Sequence, residues 1–131
     1  MFRVNSGHGF HIEFPNGVVL STQIGTGNYC DNYDKEIGNF PKIHCSEKYH
    51  SIGSCESSTA EIAIWDTTQS ETREFFDKKR TGNKWITKEM IKTIFPEQDY
   101  EDDVKGRVTM DEWLKIFEWC KNYKLTNPTQ G

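Results

Sequence analysis

A β-hairpin near the N-terminus is the feature that most constrains how this chain folds. Residues 10–14 (Phe-His-Ile-Glu-Phe) alternate apolar and polar side chains, which is the period of a strand with one buried face. Asn16-Gly17 follows, and this dipeptide favours a tight turn because both residues tolerate positive φ. Residues 17–24 then return as a second alternating, β-branched run. The sequence therefore predicts two antiparallel strands joined by a short turn.

The remaining stretches extend this hairpin into one α+β domain. A strand before the hairpin makes a meander over residues 1–24, and residues 25–57 show no helical or alternating period and predict a long irregular loop. Residues 58–86 predict further strands, and residues 87–125 predict helices. We expect a single domain over residues 1–131, an antiparallel sheet of four or five strands packed against two C-terminal helices.

Local signals place the two helices. Thr87 is a suitable N-cap for a helix over Lys88–Phe95, which Pro96 ends. Thr109 and Glu112 have the spacing of a capping box, so a second helix is expected to begin there. Its core-facing stripe consists of Trp113, Ile116, Phe117 and Cys120.

Three polar stretches lie among the predicted strands. Residues 66–70 are polar and predict a loop, and residues 71–79 fit either a short helix or an edge strand. Gly82-Asn83 predicts a turn.

Charge and hydropathy exclude several classes of protein. The net charge of -4 argues against a dedicated nucleic-acid binder, and the short basic run Lys78-Lys79-Arg80 is typical of a solvated face. No apolar run reaches the roughly 18 residues that a membrane span needs, so no membrane partner is expected. The N-terminus does not read as a secretory signal, which predicts a cytoplasmic protein with reduced thiols.

Glycines at the start of the long loop allow two interpretations. Gly25 and Gly27 let the backbone approach a phosphate closely, so that Gly25, Gly27 and Asn28 are candidate ligand-binding residues. No helix is predicted directly after them, as a dinucleotide site would require. The other interpretation is a glycine-enabled bend that packs Tyr29 and Cys30 inward.

Thiols and imidazoles in the same loop make zinc a possible cofactor. The candidate ligands are Cys30, His44, Cys45, His50 and Cys55, which suit tetrahedral zinc. Their spacing lacks the common C-x₂₋₄-C pair and places His44 next to Cys45, which favours the other interpretation, small buried thiols and surface imidazoles. The same groups offer no persuasive catalytic triad, and we expect no enzyme.

Tyrosines of the loop and an acidic run supply candidate contacts with a macromolecular partner. The acidic run (Glu97, Asp99, Glu101, Asp102 and Asp103) is typical of a solvated loop between helices, and alternatively it attracts a basic partner, since dense carboxylates steer basic partners over long range. Part of the acidic run also resembles a calcium-binding loop. Residues 101–112 match the spacing of an EF-hand loop at several positions, but Lys105 occupies a position where that loop needs an oxygen ligand. The candidate partner-binding residues are Tyr29, Tyr33, Tyr49, Asp99, Glu101, Asp102 and Asp103.

Several segments together resemble small accessory proteins encoded by tailed bacteriophages and prophages. They are Asn16-Gly17-Val18, Ser21, Gln23, Gly25-x-Gly27-Asn28-Tyr29-Cys30, Ala60-Glu61-Ile62-Ala63-Ile64-Trp65 and Trp85-Ile86-Thr87. The likeness covers roughly residues 8–30 and 58–90 and brings no catalytic residues. It implies a protein that acts in the host-cell cytoplasm on host factors, including defence systems.

The resemblance and the composition lead to one expected function and one alternative. We expect a non-catalytic accessory protein that binds and inhibits a host macromolecule, a host protein with a basic surface. The alternative is a nucleotide- or zinc-binding module, with or without hydrolytic chemistry, that uses the loop at 25–57.

Overall fold

The computed structural model describes residues 1–4, 8–25, 27–34, 56–98 and 102–125. Within these ranges the chain forms one sheet of six strands and two α-helices, which confirms the predicted α+β class. The strands are β1 (Phe2–Val4), β2 (Gly9–Glu13), β3 (Val18–Gln23), β4 (Thr59–Phe75), β5 (Lys78–Trp85) and β6 (Val104–Thr109). The helices are α1 (Thr87–Ile94) and α2 (Met110–Lys121).

Every strand pairing in the sheet is antiparallel. The order is β1-β2-β3-β4-β5, and β6 joins beside the first half of β4, where it pairs with Thr59–Ala63. The sheet thus has one strand more than the four or five expected. The extra strand, β6, lies between α1 and α2, where the sequence analysis of residues 87–125 predicted two helices and no strand between them.

The predicted hairpin is confirmed in its register and its turn. Ile12 lies opposite Leu20, and Gly17 has a φ of 89°, a conformation that glycine adopts without strain. The Asn16 side chain accepts a bond from the Val18 N–H at 3.1 Å and donates to the Cys120 carbonyl at 2.9 Å. The turn is therefore also fastened to the end of α2.

Both helices pack on one face of the sheet and close the main core. Buried side chains from the strands meet buried side chains from the helices there: Val18, Leu20, Ile62, Ile64, Val108, Ile86, Met90, Ile91, Ile116 and Cys120. The predicted stripe of α2 is confirmed, with Ile116 and Cys120 buried and Trp113 and Phe117 packed against the core.

The helix starts differ from each other in how they are capped. The capping box between Thr109 and Glu112 is present, as predicted. Thr87 does not cap α1, because Ile86 holds the N-cap position without a side-chain bond. The buried Thr87 hydroxyl instead accepts a 2.9 Å bond from the Ile64 N–H, which joins α1 to β4.

The second half of β4 continues where a loop was predicted. The register shifts between Asp66 and Ser70, and this bulge is stabilised by the fully buried Asp66 carboxylate. Asp66 accepts bonds from the Thr68 N–H at 2.9 Å and from Gln69 at 2.7 Å, and it pairs with Lys124 at 3.1 Å. The predicted loop at 66–70 is therefore a β-bulge inside one long strand.

Beyond the bulge, β4 and β5 form a two-stranded ribbon, which we call the distal ribbon (residues 70–83). Ser70–Phe75 pairs only with Lys78–Asn83, and nearly all of its side chains are exposed. Residues 71–79 thus belong to a hairpin rather than a helix, and Gly82-Asn83 lies within β5 rather than at a turn. At about 3.3 Å per residue, the ribbon is on the order of 20 Å long, and Arg73 near its middle still bonds to Asp103 beside β6.

Candidate binding surfaces

Two tyrosines stack on the described part of the long loop. The rings of Tyr29 and Tyr33 lie 5.4 Å apart and within 11° of parallel. Tyr29 is 46% and Tyr33 45% exposed, whereas Cys30 between them is fully buried. The predicted inward packing is thus correct for Cys30 and wrong for Tyr29. We call this pair the tyrosine platform (Tyr29 and Tyr33).

Buried polar bonds fix the loop that carries the platform. Asn32, only 3% exposed, donates from its side-chain amide to the carbonyls of Ile24 and Glu56, both at 2.8 Å. The Asp31 carboxylate accepts bonds from the Ser58 N–H at 2.8 Å and the Thr59 hydroxyl at 2.7 Å. These bonds tie the loop to the end of β3 and the start of β4, so the tyrosines are presented by an anchored segment.

Strand β6 supports the platform from the other side. The Arg107 N–H donates to the Tyr29 carbonyl at 2.8 Å, and its guanidinium donates to the Cys30 carbonyl at 2.6 Å. Arg107 has a φ of 54°, unusual for a residue with a side chain. Gly106 lies so close that a Cβ there would stand 2.5 Å from the Tyr29 Cβ. The position of Tyr29 therefore depends on a glycine in the neighbouring strand.

The backbone N–H groups of the predicted phosphate site already donate hydrogen bonds to acceptors within the loop. Gly25 donates to the Asn28 side chain at 2.9 Å, Gly27 to the Tyr33 carbonyl at 3.0 Å, and Asn28 to the Gly25 carbonyl at 3.2 Å. A bound phosphate would have to compete with these acceptors. Ligand binding at Gly25, Gly27 and Asn28 stays a prediction.

Of the predicted zinc ligands, only Cys30 lies among the described residues. Its buried sulfur lies 3.7 Å from the Gly25 carbonyl and 3.4 Å from the Asn32 N–H. Within the described ranges, no group of three or more His, Cys, Asp or Glu side chains is placed to hold a metal ion. His44, Cys45, His50 and Cys55 lie outside the described residues, so the zinc site also stays a prediction.

Of the candidate partner-binding carboxylates, only Asp102 and Asp103 are described, since Asp99 and Glu101, like Tyr49 of the loop, lie outside the described residues. Arg73 holds Asp103 with two bonds of 2.5 and 3.1 Å. These bonds lower the pKa of Asp103 and outweigh its desolvation. Asp102 is exposed and accepts the Asp103 N–H at 2.7 Å. One of the two carboxylates is thus already paired within the chain.

An apolar groove of about 230 Å³ opens at the end of the sheet where β4 begins. We define the apolar groove by Phe10, Thr22, Ile24, Ala60, Val108 and Trp113, with Met110 at its mouth. The Trp113 indole is oriented by a 2.9 Å bond from its Nε1 to the Thr22 hydroxyl. Sequence analysis placed Trp113 on the core-facing stripe, and its half-buried position agrees with a residue at the border of the core.

The tip of the distal ribbon carries exposed aromatic side chains that sequence analysis did not single out. Phe75 is 64% and Phe76 89% exposed, and their rings meet edge to face at 4.9 Å. Phe76 and Asp77 both have positive φ, at 51° and 64°, in a turn that ordinarily uses Asn or Gly. The available signal was the pair Phe75-Phe76 followed at once by a charged run.

Comparisons with known proteins found no matching family model, no similar curated protein and no similar solved structure. Among the described residues, neither helix has the length and hydropathy to cross a bilayer.

Proposed function

We propose that this chain is a phage accessory protein that acts in the host cytoplasm, where it binds and inhibits a host protein without catalysing a reaction. The observation that carries the proposal is the tyrosine platform. Tyrosine is enriched at the energetic centres of protein interfaces because it offers a large rigid ring and a polar tip at low entropic cost. The phage origin rests on the sequence resemblance.

Anchoring of the loop supports binding by the platform. A flexible loop would lose conformational entropy on binding, whereas a pre-organised loop avoids most of that cost. Tyr29 and Tyr33 stack on each other, and Asp31, Asn32 and Arg107 hold the backbone between and beside them. The exposed halves of both rings are therefore available at small entropic cost.

The charge around the platform supports a partner with a basic surface. Asp31 and the exposed Asp34 flank Tyr33, and the Glu61 carboxylate accepts the Tyr29 N–H at 2.8 Å. Arg107 partly offsets these carboxylates. Because the whole chain also carries a net charge of -4, long-range attraction would favour a basic partner.

The test is capture of partners from bacterial lysate with tagged wild-type chain and with Tyr29→Ala and Tyr33→Ala. We expect the wild type to capture one dominant partner, and either substitution to lower the affinity for that partner at least tenfold. The affinity of the wild type should also fall as the salt concentration rises. Phe2→Ala is the matched control, since Phe2 is an 83% exposed aromatic residue on β1.

The proposal is rejected if both tyrosine variants retain the partner at wild-type affinity while remaining folded. It is also rejected if the captured complex shows turnover of the partner or of a ligand. Thermal unfolding of each variant separates loss of binding from loss of fold.

A further inference from the structure

The distal ribbon ends in an apolar knob that nothing in the described part of the chain covers. Phe76 is 89% exposed at the outermost turn, and Phe75 beside it is 64% exposed. The turn also holds Phe76 in a left-handed conformation, which is an outlier for a bulky residue. Backbone strain of this kind persists where the surrounding structure or a binding role maintains it.

The apolar groove at the other end of β4 has room for one aromatic ring. Its volume is about 230 Å³, whereas an engineered apolar cavity of about 150 Å³ is enough to hold benzene. Met110, which lines the groove, is 65% exposed. The groove thus continues into an apolar side chain that is open to solvent.

The charges around the knob and the groove are of opposite sign. Lys78, Lys79 and Arg80 follow the knob after the single acidic residue Asp77, and none of the three forms an ion pair within the described ranges. On the groove side, the Asp31 carboxylate bonds to Ser58 and Thr59, and the Glu112 carboxylate bonds to Thr109. All three of these bonded residues line the groove. The basic collar of the knob (Lys78, Lys79 and Arg80) is therefore complementary in charge to the acidic rim of the groove (Asp31 and Glu112).

The length of β4 prevents the knob from reaching the groove of its own chain. Ala60 lines the groove and Phe75 carries the knob, and both lie on the same strand. The bulge shortens the path between them, because Asp66–Ser70 advances the ladder by only one residue of β5, and the remaining strand steps of about 3.3 Å still separate the two by roughly 30–40 Å. Contact between knob and groove must therefore join two molecules.

We infer that the Phe76 knob of one chain docks in the apolar groove of a second copy, so that the protein associates head to tail. This self-association goes beyond the proposed function and does not use the tyrosine platform. The contact is heterologous, with a different surface on each partner, and such contacts build rings if the rotation closes and filaments if it does not. A pair joined in this way leaves one knob and one groove free for further copies.

The first measurement is sedimentation velocity of the purified full chain over a wide range of protein concentration. We expect the weight-average mass to rise with concentration above the 15.3 kDa of one chain. Higher salt should weaken the association, since it screens the basic collar from the acidic rim. A mass that stays at one chain throughout the range overturns the inference.

Two variants each remove one half of the contact. Phe76→Ser removes the knob, and Met110→Gln makes the mouth of the groove polar at nearly constant side-chain length. Each is expected to raise the dissociation constant by roughly tenfold to a hundredfold, as the loss of one buried apolar side chain would. Phe2→Ser is the matched control, because Phe2 on β1 is 83% exposed and belongs neither to the knob nor to the residues that line the groove.

Mixing the two variants tests the head-to-tail geometry. Phe76→Ser keeps its groove and Met110→Gln keeps its knob, so their mixture should form dimers of twice the chain mass and stop there. If the Met110→Gln variant associates with itself when measured alone, the contact joins knob to knob and the inference fails. Equal weakening by Phe2→Ser, or no heterodimer in the mixture of folded variants, also overturns it.

Discussion

Gly106→Ala tests whether β6 positions Tyr29, and Gly82→Ala provides the same substitution without the contact. At Gly106 the new Cβ would lie 2.5 Å from the Tyr29 Cβ and 3.3 Å from its Cγ, so the loop or the strand must shift. At Gly82, in the neighbouring edge strand β5, nothing lies within 4 Å of the new Cβ. The two substitutions therefore differ in what the methyl group meets.

The expected free energies of unfolding change in opposite directions. Overpacking costs about 1–3 kcal/mol, so Gly106→Ala should lower the unfolding free energy by that amount. Gly82→Ala should raise it by about 0.4–1 kcal/mol, because alanine has less conformational freedom in the unfolded chain. Urea unfolding at constant m-value measures both. In thermal melts of a domain this size, each kcal/mol corresponds to roughly 3–6 °C.

A second substitution identifies the contact that causes the loss. Tyr29→Gly removes the Cβ that collides with the methyl group introduced by Gly106→Ala, and the neighbour that remains, the Tyr29 carbonyl at 3.4 Å, is in ordinary contact with it. Most of the cost of Gly106→Ala should therefore disappear in the Tyr29→Gly background, giving a coupling energy of about 1–2 kcal/mol. An undiminished cost there, or equal destabilisation by Gly82→Ala, would refute the reasoning.

Three further predictions concern the bulge, the hairpin and the zinc alternative. Burial raises the pKa of Asp66, but hydrogen bonds from Thr68, Gln69 and Lys124 outweigh it and lower the pKa. The carboxylate therefore stabilises the fold above the unfolded pKa of about 3.9 and loses this effect as pH falls through the lower folded value. Asp66→Asn should cost about 1–3 kcal/mol at neutral pH, and urea titrations should show the gap closing in acid. Asn16→Ala removes the bonds to Val18 and to the end of α2, and we expect a loss of about 1–2 kcal/mol in the same assay, whereas a neutral result would contradict the fastening of the turn. Metal analysis of purified protein should find no stoichiometric zinc and no change in Tm with EDTA; zinc whose removal unfolds the protein would favour the metal-binding alternative.

Features encoded by neighbouring residues were predictable from the sequence. The hairpin depends on Asn16-Gly17, and the start of α2 depends on the reciprocal bonds of Thr109 and Glu112, all within four residues. Features that depend on distant partners were not. Thr87 has a side chain that suits an N-cap, but its hydroxyl accepts a hydrogen bond from the Ile64 N–H, 23 residues away in the sequence. The choice between capping α1 and bonding to β4 therefore depends on a tertiary contact that the local sequence does not show.

Strand β6 escaped prediction because its signal is weak and its partner is distant. It pairs with the start of β4, more than 40 residues earlier, and Gly106 and Arg107 interrupt its alternation. In the tyrosine platform, the exposure of Tyr33 followed from its place in a polar loop, but stacking on Tyr29 depends on β6. The platform was thus predictable in its residues and not in its geometry.

The same long strand keeps charged groups of opposite sign apart. Asp31 lies beside the start of β4, where its carboxylate bonds to Thr59, whereas Lys78, Lys79 and Arg80 lie at the far end of the ribbon that β4 forms with β5. Allowing for the bulge, the two ends are roughly 30–40 Å apart at about 3.3 Å per residue, several times the Debye length of about 8 Å at physiological salt. The net charge of -4 is therefore a sum over groups that lie far apart in the fold. The basic run Lys78-Lys79-Arg80 lies at the tip of the ribbon, away from the carboxylate of Asp31 at the start of β4.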